Sequence, residues 1–110
     1  MVEEFIRKLI LTYLQRVQEK GIQVSFGVLF GSYATGTATQ WSDIDLLVVS
    51  PRFDKTHSRD DISLLWRLTA VTDTRIEPIP AGEREWNEDN SRPILEIARR
   101  EGVIIPFSTQ

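Results

Sequence analysis

Residues 31–49, GSYATGTATQWSDIDLLVV, place two glycines, a run of hydroxyls and two aspartates ahead of an apolar segment. Asp43 and Asp45 stand two residues apart, directly before Leu46-Leu47-Val48-Val49. On a strand that spacing points both carboxylates to one face, about 7 Å apart at the backbone. Carboxylates are costly to bury unless paired or bound to a cation. Two acceptor-only groups so placed can converge on one or two hard divalent cations. The chain has no cysteine and a single histidine, His57, so thiolate and histidine-cluster sites are excluded. Mg²⁺ fits what remains, because it is held by one or two carboxylates together with substrate phosphates.

Upstream, the apolar run Val28-Leu29-Phe30 breaks at Gly31-Ser32. A strand that breaks there and opens a helical turn aims backbone N–H groups and one hydroxyl at an anion such as a triphosphate. A phosphate cradle beside a carboxylate pair is the equipment of metal-assisted phosphoryl or nucleotidyl transfer. Gly31 and Gly36 have P-loop spacing, but Thr37 stands where that motif requires lysine, and the P-loop is rejected. Each aspartate alone is more often a turn residue or a helix cap. The Gly-Ser break upstream and the apolar run downstream favour a site.

The elements that must position these residues follow from periodicity. Val2, Phe5, Ile6, Leu9, Ile10, Tyr13, Leu14 and Val17 recur at helical spacing over residues 2–20, with Lys20-Gly21 as the stop. IQVSFGVLF (22–30) alternates, then becomes continuously apolar, which predicts a central strand ending at Phe30. Ser32 caps a short turn that Gly36 closes. DIDLLVVS (43–50) is a second strand, terminated by Pro51. Asp60 or Asp61 opens a helix with Ile62, Leu65, Trp66 and Leu68 on its inner face. TRIEPIP (74–80) is a third strand, and Pro78 and Pro80 predict a sheet edge. The charged stretch 81–92 reads as a solvated loop. Ser91 caps a last helix with Pro93 in its first turn, Gly102 ends it, and VIIP (103–106) is a short final strand. The alternation predicts an α/β (α+β) class, with a small mixed sheet packed against helices in one domain over 1–110.

Bulk properties narrow the function. With 41% hydrophobic and 26% charged residues the composition is that of an ordinary globular domain. A net charge of −3 opposes generic binding to DNA or RNA backbone, which depends on a Lys and Arg excess. No apolar run approaches 18 residues and the start is not signal-like, so a cytoplasmic protein is expected and no membrane partner.

Gly31-Ser32, ten intervening residues, then Asp43-Ile44-Asp45 resembles the GS…DxD signature of the DNA polymerase β-type nucleotidyltransferase superfamily. The form GSYATG…SDIDLLVV is similar to its minimal nucleotidyltransferases, the MNT family represented by MntA antitoxins. The resemblance extends over nearly the whole chain, although only the GS…DxD part is highly specific. It implies a nucleotidyltransferase fold in which Ser32, with Gly31, holds the nucleotide phosphates while Asp43 and Asp45 hold Mg²⁺, with two ions expected. The family normally adds a third carboxylate on a later strand, a metal-site residue and candidate general base. Glu77 is the best match and Asp73 the runner-up. Two departures stand out: Thr35 where a basic residue is common, and Glu rather than Asp at the third position. Arg52, Arg59 and Arg75 are alternative phosphate contacts that spacing does not separate.

Larger nucleotidyltransferases of this type carry a second domain over the acceptor, and this chain has no residues left to build it. The expectation is a homodimer or a hetero-oligomer with a separate partner. In MNT families that partner is a HEPN-domain toxin ribonuclease, and the MNT protein is the antitoxin that transfers AMP from ATP to a toxin tyrosine. Two alternatives remain: a nucleotidyltransferase for a small acceptor such as an aminoglycoside, and a non-catalytic nucleotide-binding antitoxin acting by contact. Trp41 and Trp86 lie in polar stretches, as a lid over a base or a partner contact, while Trp66 is expected in the core.

Overall fold

The structure, a computed structural model, describes residues 2–89 and 91–108. Its order is α1 (Glu4–Glu19), β1 (Phe26–Phe30), α2 (Ser32–Thr35), β2 (Ile44–Val49), α3 (Arg52–Lys55), α4 (Arg59–Thr69), β3 (Ile76–Ala81), α5 (Glu83–Glu88), α6 (Pro93–Glu101) and β4 (Val103–Pro106). The strands form one mixed sheet in the order β3-β2-β1-β4. β1 pairs antiparallel with β2 and β4, whereas β2 and β3 run parallel through the α3–α4 crossover.

Both faces of the sheet are covered, which is why β2 reads as a nearly continuous apolar run. Leu29, Ile44, Leu46, Val48, Ile76 and Ile105 meet Ile6, Ile10, Tyr13, Leu14 and Val17 of α1 and Leu65 and Leu68 of α4. Val28, Phe30, Leu47, Val49 and Ala81 pack on Leu95 and Ala98 of α6, with Trp86 of α5 at the margin. Tyr13 ties α1 to α4 by donating its buried hydroxyl to the Leu65 carbonyl at 2.7 Å.

Five readings are corrected. The N-caps of α2 and α6 are Gly31 and Arg92 rather than Ser32 and Ser91. Trp66 is 46% exposed rather than core. The buried stripe of α4 is Asp61, Leu65, Leu68 and Thr69, one row round from Trp66. Residues 83–88, expected as loop, form α5, because Asp54 reaches across 30 residues to accept from the Arg84 and Glu85 N–H groups at 3.0 Å. Trp86 therefore lies on a helix, edge-to-face with Phe26 at 6.1 Å and beneath the Arg99 guanidinium at 5.4 Å. It is neither a lid nor a free contact.

The prolines of β3 do mark an edge. Ile44 donates to the Arg75 carbonyl at 2.8 Å and Ser50 to the Ala81 carbonyl at 3.0 Å, so the odd-numbered residues of β3 face β2. Pro78 and Pro80 fall on the opposite parity, where an N–H would point to the open edge and template another strand. Replacing both by threonine restores two edge donors. We expect an unchanged fold by circular dichroism and stronger concentration-dependent self-association by sedimentation; equal association would show that the prolines do not guard the edge.

Candidate active site

Three strand ends meet at one side of the sheet: the C-terminal end of β1 and the N-terminal ends of β2 and β3. Asp45 is in register with Phe30 of β1 and with Glu77 of β3. In-register residues share a face, so Phe30, Asp45 and Glu77 form a row across three strands. Asp43 precedes β2 by one residue and is exposed, whereas Asp45 and Glu77 are half-buried. Leu47 and Val49, on the Asp45 face, pack on α6. Asp45 and Glu77 continue that face past Leu47 to the strand ends, where Phe30 is the last residue of the apolar cluster.

β1 ends where Gly31 adopts φ 75°, ψ −154°, a region essentially reserved for glycine. A Cβ at Gly31 would lie 2.2 Å from Asp45 Oδ2, so the turn and the carboxylate share space that only glycine leaves open. The chain then enters α2. Ala34 and Thr35 N–H groups both bond to the Gly31 carbonyl. The Ser32 and Tyr33 N–H groups find no backbone acceptor among the described residues, as is general for a first helical turn.

The acids crowd one another. A hydrogen bond to Asp43 first, then burial, then the charges of Asp43 and Asp45 push the Glu77 carboxyl up. Burial, followed by the Asp43 charge, pushes Asp45 up. Among the described residues no three His, Cys, Asp or Glu side chains close into an ion cage. The all-oxygen donor set beside Gly31 suits Mg²⁺, which needs one or two carboxylates and completes its shell with phosphate and water.

Asp73 does not join the acids. Hydrogen bonds from the Arg75 guanidinium hold its carboxyl below the usual range. Arg52 pairs with Asp61 at 2.7 Å, beyond the far end of β2, and Arg59 opens α4 at that same end. Neither is brought to the acids. Trp41 is 83% exposed, two residues before Asp43. Sequence reasoning passed over Tyr33, whose hydroxyl receives the Arg75 guanidinium at 3.0 Å. No local pattern announces that bond.

Two outcomes follow. Gly31→Ala is expected to lose about 1–3 kcal/mol of stability in denaturant titration, because it forces a strained backbone, and to displace Asp45 as well. A cost near zero would mean that the turn relaxes freely. The raised Glu77 and Asp45 values mean that the folded chain holds more protons than the unfolded one between the ordinary and raised pKa. Their contribution to stability therefore falls as pH rises through that window. Without divalent cation, Glu77→Gln should raise Tm at pH 7, and the gain should fade below the ordinary glutamate value of 4.5. An equal or lower Tm at pH 7 would show that the charges do not compete.

Known proteins share this fold. The nucleotidyltransferase domain family matches residues 10–97. A Methanocaldococcus jannaschii protein, provisionally named protein adenylyltransferase MJ1305, is 39% identical over 56 residues. That alignment spans 50% of this chain and 38% of the relative. The crystal structure of a Sulfolobus solfataricus protein provisionally named a nucleotidyltransferase superposes with a TM-score of 0.63 at 19% identity, over 94% of this chain and 86% of that one. A toxin–antitoxin structure with AMP-PNP gives 0.60 at 20% identity, over 90% of this chain and 74% of that one. At such identities the two structures establish a shared fold. The family match spans most of the chain, which therefore belongs to the nucleotidyltransferase domain family.

Proposed function

We propose that this nucleotidyltransferase transfers AMP from ATP, with Mg²⁺, to a tyrosine hydroxyl of a HEPN toxin partner and so acts as its antitoxin. The observation that carries the transfer chemistry is the row of Asp45 and Glu77 beside Gly31, with Asp43 two residues from Asp45, immediately before the same strand. The adenylyl group and the protein acceptor are supported by the name of the M. jannaschii relative, and the toxin by the toxin–antitoxin neighbour.

Asp43 and Asp45 hold the cation, and the Ser32 hydroxyl with the first N–H groups of α2 receives phosphate oxygens. Bound there, Mg²⁺ supplies neutralisation of the phosphate charge and of the leaving pyrophosphate. The acceptor oxygen attacks the α-phosphorus, the bond to the β-phosphate oxygen breaks, and the hydroxyl proton passes to Glu77. Trp41, held out into solvent beside Asp43, offers a protein acceptor a large contact of the kind that dominates interfaces.

The test is intact mass of the co-purified partner after incubation with Mg·ATP, expected to rise by whole AMP units. Losing a positioned base costs about 10²–10⁴-fold in rate. Glu77→Gln should therefore keep Mg·ATP affinity and lose most transfer, while Asp43→Asn with Asp45→Asn should abolish metal-dependent binding. Transfer by Glu77→Gln at the unsubstituted rate would remove Glu77 as base. No added mass on any partner, with binding intact, would favour an antitoxin acting by contact.

A further inference from the structure

Arg75 stands between β3 and the helix before it and touches every segment that carries a site residue. Its carbonyl accepts the Ile44 N–H at 2.8 Å, on the residue between Asp43 and Asp45. Its guanidinium forks onto Asp73, with Nε–Oδ1 at 3.1 Å and Nη2–Oδ2 at 2.8 Å. The remaining arm, Nη1, donates to the Tyr33 hydroxyl at 3.0 Å. That hydroxyl in turn donates to the Thr39 carbonyl at 3.2 Å.

Each end of this relay is anchored to the site. Tyr33 directly follows Ser32. Thr39 organises the turn into Asp43: its carbonyl accepts the Ser42 N–H at 3.0 Å, its N–H donates to Ser42 Oγ at 2.9 Å, and its hydroxyl accepts the Trp41 N–H at 3.2 Å. Arg75 lies two residues before Glu77. The Tyr33 ring packs against the core independently of its hydroxyl, so the oxygen is spare for the fold while linking the phosphate turn, the aspartate loop and the glutamate strand.

We infer that Tyr33 and Arg75 are positioning residues for nucleotidyl transfer, their hydrogen-bond relay setting the spacing between the Gly31-Ser32 turn and the carboxylates of β2 and β3. The inference rests on the active-site reading above, and on neither the identity of the acceptor nor a direct phosphate contact by Arg75.

The test uses Tyr33→Phe, which removes one oxygen and keeps the ring, with Arg75→Lys, whose single ammonium cannot span Asp73 and Tyr33 together. In Tyr33→Phe, amide exchange at Thr39, Trp41 and Ser42 should quicken about tenfold while α1 is unchanged, since only the local opening is eased. Small misplacements of reacting groups are costly in rate, so pyrophosphate release should show kcat down about tenfold, KM for ATP within about threefold and Tm nearly unchanged. Arg75→Lys should match it, and the double variant should be no worse than the more impaired single, because both cut one relay. Unsubstituted exchange and kcat in Tyr33→Phe would overturn the inference. So would additive kcat losses, or a salt-sensitive rise in ATP KM for Arg75→Lys at constant kcat, which would make Arg75 a phosphate ligand. If the unsubstituted chain turns over no ATP, exchange still decides: unchanged amides overturn the relay, while missing turnover counts against the transfer reading alone.

Discussion

The in-register pairing of Asp45 with Glu77 is the constraint on which the rest depends. A parallel ladder sets paired residues at one height on one face, so bringing these two acids together is a consequence of register. A slip of one residue would turn β3 over and present Pro78 to the site in place of Glu77. The register is held at both ends by Ile44 to Arg75 and Ser50 to Ala81. Between them it is held by two-sided burial: Ile44 and Ile76 on the α1–α4 face, Val49 and Ala81 on the α6 face. Apolar packing along the strands thus offsets the repulsion concentrated at their ends.

The GS…DxD spacing has its origin in the same sheet. Phe30 pairs with Asp45 across an antiparallel turn, so the residues between must leave β1, make the Gly31-Ser32 turn and return in register. Residues 32–35 form α2, and the Thr39–Ser42 bonds close the return. Gly31 is required twice, for its positive φ and for the room its missing Cβ leaves to Asp45. The Gly31 turn and the Asp45 carboxylate are one steric unit, and this is why a motif spread over fifteen residues can be read as one signal.

What was legible in the sequence was what short-range physics dictates. Period-3.6 and continuous apolar runs located α1, β1, β2 and α6 to within a few residues, and alternate prolines marked the β3 edge. Interactions without a local signature were missed. α5 is capped by Asp54 from a distant loop. The inner face of α4 is fixed by contact with α1 through Tyr13, which leaves Trp66 outside. Arg52 and Arg75, each a reasonable phosphate contact by spacing, are committed to Asp61 and Asp73, and only tertiary geometry can say so.

Charge is distributed unevenly between the two ends of the sheet. Beyond the C-terminal ends of β2 and β3, acids meet bases: Asp61 with Arg52, and Glu85 with Arg92 at 2.8 Å. At the opposite end, no lysine, arginine or histidine among the described residues lies within ion-pair distance of Asp43, Asp45 or Glu77. Arg75 is near, but its fork is spent on Asp73. An anionic nucleotide approaching this end meets unopposed negative charge unless a cation arrives with it. The same unopposed charge attracts a cation. An anion and a cation that bind there together would therefore be coupled, each strengthening the other by the same factor.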